Sequence, residues 1–167
     1  MAGPVDPPLA DPNGRTGLAD FKVRAIERTD RAQWTPLWRG YLDFYRAPWS
    51  DEVADVTFAR IFDPLEPVHA FVADQGGELI GLTHYLFQRS TWLINSQCYL
   101  QDLYVSEAAR GGGVGRALIA AVVGAAKEAG AARVYWNTHE TNAVARRLYD
   151  AVAHRPGFIQ YRIDPLP

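Results

Sequence analysis

The sequence predicts a single domain of mixed α/β class, a central mixed sheet flanked by helices. Three observations carry that expectation. The chain has 167 residues, about one domain's worth and enough to bury a core without covalent staples. Its first half reads as a strand, two helices and then three strands joined by short links, which is the pattern of an antiparallel meander. Its second half runs strand, glycine-rich loop, helix and strand, and a strand–helix–strand unit requires a parallel crossover.

Residues 1–18 hold four prolines and three glycines with almost no apolar periodicity, so a disordered arm is expected there, ahead of a domain over residues 19–167. From Phe21 to Ile26 the side chains alternate as in a strand. Asp30 with Gln33 has the spacing of a capping box. Apolar residues at 34, 37, 38, 41, 42, 44 and 45 then predict a helix buried over a broad face, broken by Pro48. Ser50 is placed to cap a second helix running to about Phe62, with Asp51 and Glu52 in its first turn. Val68 to Ala73, Leu79 to Phe87 and Gln97 to Val105 read as strands, the first two joined by the turn-forming DQGGE. After the glycines, Ala117 to Ala129 forms a small-residue helix with Gly130 just past its end. Arg133 to Asn137 is the next strand, Asn142 to Val152 a helix, and Phe158 to Ile163 a closing strand.

Composition narrows the function. Seventeen Lys and Arg against nineteen Asp and Glu leave a net charge of −2, so no basic field points to nucleic acid. The longest nearly apolar stretch, residues 117–126, is too short to span a bilayer, and residues 1–18 lack a basic-then-apolar signal pattern. The single cysteine, Cys98, excludes an internal disulfide and reads as a small buried hydrophobe. The four histidines show no metal spacing, and no HExxH or CxxC occurs, so no metal is expected. The expectation is a soluble cytoplasmic protein with neither nucleic acid nor membrane as partner.

The chemistry concentrates in QDLYVSEAARGGGVGRAL, residues 101–118. A strand enters a loop of Arg110, Gly111, Gly112, Gly113, Val114, Gly115 and Arg116, and a helix begins. The first turn of a helix has unpaired N–H groups and about half a positive charge, and glycines let backbone approach a bulky anion. Such a junction is a phosphate cradle. It is not a dinucleotide fingerprint: counting from Gly113 the third glycine position is Leu118, from Gly111 it is Arg116, and the expected acid about twenty residues on is Arg133. The Gly-Lys-Ser/Thr of a phosphate-binding P-loop is also missing.

Arg110, Gly113 and Gly115 fit Gln/Arg-x-x-Gly-x-Gly/Ala, and this segment resembles motif A of the GCN5-related N-acetyltransferase (GNAT) superfamily. NAVARRLY (residues 142–149) resembles that superfamily's Asn-x-x-Ala-x-x-Leu-Tyr, and the element order over residues 21–163 also agrees. More narrowly, CYLQDLYV, VYWNTHETN and FIQYRI resemble the yeast histone/polyamine and diamine acetyltransferase branch.

The resemblance implies a GNAT-like acyl-CoA N-acyltransferase fold. It implies acetyl-CoA bound in a splay between strands 99–105 and 133–138, with no metal. The backbone of Leu103 and Val105 would pair with the pantetheine arm, and the amides of Arg110 to Arg116 would hold the pyrophosphate. An amide near Leu103 or Tyr104 would polarise the thioester carbonyl, worth about 3–4 kcal/mol in comparable acyl transfers. Tyr149 would protonate the departing thiolate, and Asn142 would cap its helix and touch CoA. The branch commonly has Glu-Asp where this chain has Gln101-Asp102, so Asp102 becomes the candidate base, beside a water relay, with His84 and Glu140 as further candidates. Strand alternation is expected to point Gln101 and Asp102 to opposite faces.

The implied reaction moves acetyl from acetyl-CoA to a primary amine of a small molecule, a polyamine or amino-acid derivative, by direct attack in a ternary complex. A protein lysine or N-terminal acetyltransferase, or a non-catalytic acyl-CoA sensor, are the alternatives. Asp51, Glu52, Asp55, Asp63 and Glu66 lie in the region that borders the acceptor cleft in the superfamily, either as a negative rim that steers a cation or as capping acids and a solvated helix face. By analogy with the branch, a homodimer is expected.

Overall fold

A computed structural model of the protein describes residues 20–164. The arm expected over residues 1–18 lies outside them. Five strands form one sheet in the order β1-β2-β3-β4-β5. β1 (Lys22–Ala25), β2 (Val68–Gln75), β3 (Glu78–Gln88) and β4 (Gln97–Val105) are antiparallel neighbours, and β5 (Val134–Tyr135) runs parallel to β4. The meander and the parallel crossover are therefore both present. The turn between β2 and β3 is tied by the Gly77 N–H, which donates to Asp74 Oδ1 at 2.8 Å.

α1 (Arg31–Phe44) and α2 (Asp51–Arg60) cover one face of the sheet, burying Trp34, Leu37, Trp38, Ala54 and Phe58 against Ala70, Val72 and Leu82. Ser50 caps α2, accepting from the Val53 N–H at 3.3 Å. α3 (Val114–Glu128) covers the other face, where Ile119 and Val122 meet Cys98 and Leu100, and Val114 and Leu118 meet Ala73 and Ile80. These helix positions recur every three to five residues, so one stripe is buried. Trimming Leu118, which has no exposed surface, to alanine costs roughly 2–5 kcal/mol. α4 (Ala143–Asp150) follows β5 and packs Leu148 and Tyr149 onto the same side. Gly40 of α1 lies directly on Tyr104 of β4, where a Cβ on the glycine would stand 2.5 Å from the tyrosine Oη.

Three expectations are corrected. Asp30 does not pair with Gln33 in a cap: its carboxylate accepts from the Glu27 N–H at 2.7 Å and from Arg24, while the Gln33 side chain bridges the Gly77 carbonyl and the Leu79 N–H. The strand expected from Arg133 to Asn137 shrinks to two residues, because its partner β4 pairs with it only through Cys98 and Tyr99. The closing strand over residues 158–163 does not form. With so short an edge at β5 the segment has no partner in its own sheet, and Phe158, Ile159, Tyr161 and Ile163 stand 77, 74, 88 and 76 % exposed.

Candidate active site

The site begins with one extra residue in β4. Tyr85 pairs with Leu100 and His84 with Asp102, so Gln101 is bulged between them. Before the bulge, Cys98 and Leu100 face α3; after it, Leu103 and Val105 do, while Asp102 and Tyr104 face α1. Without the bulge Asp102 would follow Leu100 under α3. Gln101 and Asp102 thus border the same cavity, contrary to simple alternation.

The bulge also sets the main chain. The Cys98 N–H donates to Arg133 O, towards β5, whereas the Ser106 N–H donates to Ile80 O, towards β3. Backbone groups alternate along a strand, so those of Leu103 and Val105 face away from β3. There β5 has already left: the ladder ends at Tyr99 and Tyr135, whose rings stack at 5.0 Å. The two strands part at this point and leave a polar edge on β4. The Val105 carbonyl on that edge accepts from Arg110 Nε at 3.2 Å, so the Arg110 side chain folds back onto β4, its guanidinium near the Tyr104 ring.

The loop enters α3 beside this edge. Gly111 and Gly113 have φ of +82° and +85°, a region that side chains other than glycine rarely adopt, and nothing lies within 4 Å of a Cβ built on either. Gly113 is the N-cap of α3 and supplies no side-chain cap, and no acid lies in the first turn. The first amides of α3 are therefore left to a ligand or water. Arg116 is exposed on this turn.

Tyr149 is in the penultimate position of α4, its ring edge against Trp136 at 5.4 Å. Burial pushes its phenol up to about 12, with a smaller push from nearby Tyr45. Asn142 caps α4, its side chain accepting from the Ala145 N–H at 3.3 Å, and its amide reaches Thr138.

Tyr45 also lines a cavity of about 460 Å³ between α1, α2, β3 and β4, with Trp38, Tyr41, Arg60, Gln101 and Asp102 in its wall. Asp102 Oδ2 lies 2.8 Å from His84 Nδ1, and Trp34 Nε1 donates to His84 Nε2 at 2.9 Å. The Tyr41 phenol is raised well above its usual range by burial and by the Asp102 charge beside it. Glu140 is exposed in the turn before α4.

The acids between residues 46 and 67 make no continuous negative rim. Asp51 accepts from the Trp49 indole at 2.8 Å, Asp55 pairs with Arg31, Asp63 accepts from the Leu65 N–H at 2.9 Å, and Glu66 is 3.6 Å from Arg60. The charge these elements bring to the cavity wall is that of Arg60, which the sequence did not single out. Trp38 Nε1, buried in the same wall, has no hydrogen-bond partner among the described residues. Trp49 is occupied by Arg39, which stacks on it at 4.3 Å. Among the described residues no group of three or more His, Cys, Asp or Glu is arranged to hold a metal ion, and no helix is long and apolar enough to cross a membrane.

A sequence profile described as the acetyltransferase (GNAT) family matches residues 34–153, and the chain belongs to that family. Its chemistry is the transfer of an acetyl group to an amine. It is 39% identical over 142 residues to the D-amino-acid N-acetyltransferase HPA3 of Saccharomyces cerevisiae, covering 84% of this chain and 88% of that one. It is 29% identical over 146 residues to the uncharacterized N-acetyltransferase YhfO of Bacillus subtilis, covering 86% and 97%. Among solved structures, the aminoglycoside acetyltransferase AAC(6')-Iy bound to a CoA-linked bisubstrate analogue superposes with a TM-score of 0.76 at 16% identity, covering 88% of this chain and 99% of that one. The fold is therefore that of the acetyltransferases.

Proposed function

We propose that the protein transfers acetyl from acetyl-CoA to the primary amine of a small, amino-acid-like molecule. The observation that carries the reading is the parting of β4 and β5 beside the uncapped start of α3. A polar strand edge, taken up by Arg110 only at its Val105 carbonyl, next to the uncapped first turn of a helix suits a ligand with an amide-bearing arm and a diphosphate. In this reading Leu103 and Val105 hold the arm, with the Leu103 N–H turned to the acyl oxygen; the Tyr104 amide faces β3 and is not available for that role. The main chain from Arg110 through Gly111, Gly112, Gly113, Val114, Gly115 and Arg116 holds the diphosphate. Asn142 keeps its capping role and borders the same ligand.

The thioester supplies an acyl carbon open to attack by a neutral amine. An alkylammonium near pKa 10.4 must first lose a proton. Asp102, aimed into the cavity, accepts it, and the freed electron pair makes the new C–N bond as the C–S bond breaks. Tyr149, still protonated at neutral pH, gives its proton to the sulfur, and the second proton shed by the newly acylated nitrogen restores the phenol, leaving a neutral amide.

Arg60, paired with Glu66 only at 3.6 Å, and the spare Trp38 indole N–H offer partners to a carboxylate, so an acceptor with a carboxylate beside the amine that meets Asp102 suits this wall better than a polyamine. The yeast relative's D-amino-acid activity is in keeping with that choice. The experiment is mass spectrometry of acetyl-CoA incubated with a panel of amino acids of both hands, polyamines and lysine peptides. Acetylated amino acids support the reading, and product from peptides alone overturns it.

The working unit in this reading is a homodimer. Four large apolar side chains are exposed along residues 158–163, a segment with a strand pattern and no strand, and β5 is the outer strand of the sheet with β4 as its neighbour on one side. A second copy can supply each with the other.

A further inference from the structure

A buried polar chain reaches the acceptor cavity from behind its wall. Trp34 has no exposed surface, and its Nε1–H points at His84 Nε2 at 2.9 Å. His84, also buried, presents Nδ1 to Asp102 Oδ2 at 2.8 Å. An indole nitrogen can only donate, so Nε2 must accept. The proton of the neutral ring is then on Nδ1, where it is donated to the carboxylate.

We propose that Trp34 and His84 are positioning residues for the proton transfer at Asp102: the indole locks His84 in its Nδ1–H tautomer, and the locked ring, together with the Tyr41 phenol that also bonds Asp102, orients the carboxylate that serves the incoming amine. This deepens the acetyltransferase reading and rests on it. A buried carboxylate needs a hydrogen-bonding partner. An imidazolium in that place would be a full opposite charge, which favours the ionised acid and weakens it as a proton acceptor. A neutral ring donates one bond without the charge. Protonating Nε2 breaks the Trp34 bond, because two N–H groups would then face each other. Rotation of the ring is opposed by Trp34 and Trp38, whose rings lie 5.8 and 6.1 Å from it. In the step itself an N–H bond of the ammonium breaks, its proton goes to the Asp102 carboxylate, and the electron pair stays on nitrogen. The sequence offered His84 only as an alternative base; the indole behind it removes the lone pair that role requires.

Long-range proton–nitrogen NMR of the ¹⁵N-histidine-labelled wild type near neutral pH reads the ring directly. The expected spectrum has a protonated-type Nδ1 and an unprotonated-type Nε2 for His84. A ring protonated on Nε2, or on both nitrogens, overturns the lock whatever the turnover. Trp34→Phe keeps a ring but removes the donor, and its His84 signal should move to exchange between tautomers. An unchanged Nδ1–H signal in Trp34→Phe would show that the indole does not set it. Should Trp34→Phe not fold, two variants of His84 decide the second half of the proposal. His84→Leu should lower kcat about 100-fold, and His84→Asn, which can still donate to Asp102, should recover at least about tenfold of that, with KM for acetyl-CoA changed less than about twofold in both. Equal kcat for the two variants overturns the positioning role. A wild type with the expected ring but no acetylated product from any amine sinks the acetyltransferase reading and leaves the tautomer standing.

Discussion

Leu148 of α4 is seated on Gly115 of α3: a Cβ on the glycine would come within 3.3 Å of Leu148 Cδ2 and 3.8 Å of Val105 Cγ2. The absence of a side chain at residue 115 lets α4, β4 and the glycine loop converge. Tyr149, the next residue along, is thereby held beside the place where the strands part.

Tyr149→Phe keeps that packing and removes the proton donor. The expected outcome is CoA binding within about twofold of wild type by calorimetry and a fall in kcat of at least tenfold, about 1.4 kcal/mol of barrier. Because burial raises the phenol to about 12, wild-type kcat should show no loss attributable to this proton below about pH 11. Wild-type kcat in Tyr149→Phe would remove the tyrosine from the mechanism.

Gly113→Val tests the loop. The position needs a positive φ, so the fold should lose roughly 1–2 kcal/mol, visible as a lower Tm. The branched side chain would also stand where a diphosphate is expected, so Kd for CoA should rise more than tenfold, about 1.4 kcal/mol. An unchanged Kd in a folded variant would count against the loop as the binding site.

Arg60→Met removes the charge in the cavity wall and keeps much of the stem. With an amino-acid acceptor KM should rise at least about tenfold, equal to 1.4 kcal/mol of uniform binding, while KM for a simple alkylamine should fall or stay the same. Equal effects on both acceptors would dissociate Arg60 from carboxylate recognition.

Asp30→Asn tests the Arg24 network, in which Arg24 bonds both Asp30 at 2.7 Å and Asp74 at 2.9 Å. The bond from Arg24 holds the Asp30 carboxyl below its ordinary 3.8; Asp74 is lowered first by the Gly77 N–H and then by Arg24. A lowered folded-state value means the stabilisation is full above the unfolded value and fades as pH falls through the folded one. The variant should lose roughly 2 kcal/mol near pH 7 in chemical denaturation. The gap to wild type should narrow only below about pH 4. A gap independent of pH would show that ionisation of Asp30 is not involved.

Ile159→Asp with Tyr161→Asp places two charges on the exposed segment. Wild type should sediment as a dimer and the double variant as a monomer with its Tm still defined, the charges being incompatible with burial in a partner. A monomeric wild type would overturn the paired arrangement.

Much of this was legible in the residues. Alternation in QCYLQDLYV delimited β4 at Gln97 and Val105, and the glycines marked the entry to α3, because both are local signals. The bulge at Gln101 was not legible: it depends on how β4 aligns with β3, and an uninterrupted alternation gives the wrong face for Asp102. The acids near α2 left two readings open because a charge count ignores local partners, four of which turn out to be Trp49, Arg31, Leu65 and Arg60. Residues 158–163 carry a strand pattern, but pattern specifies a propensity and pairing requires an edge. The helical spacing marks Trp34 as buried, which it is; nothing in that spacing reveals the nitrogen of His84, fifty positions away, at the end of its indole.

Tyr104 resting on Gly40 sets how deeply α1 sinks towards the sheet. A methyl at residue 40 would act as a wedge beneath the helix. Tyr41, one position along, would then ride outward with the same turn and loosen its hold near Asp102. The bore available to an acceptor is in this sense gauged by a single missing carbon at a point remote from the reacting groups.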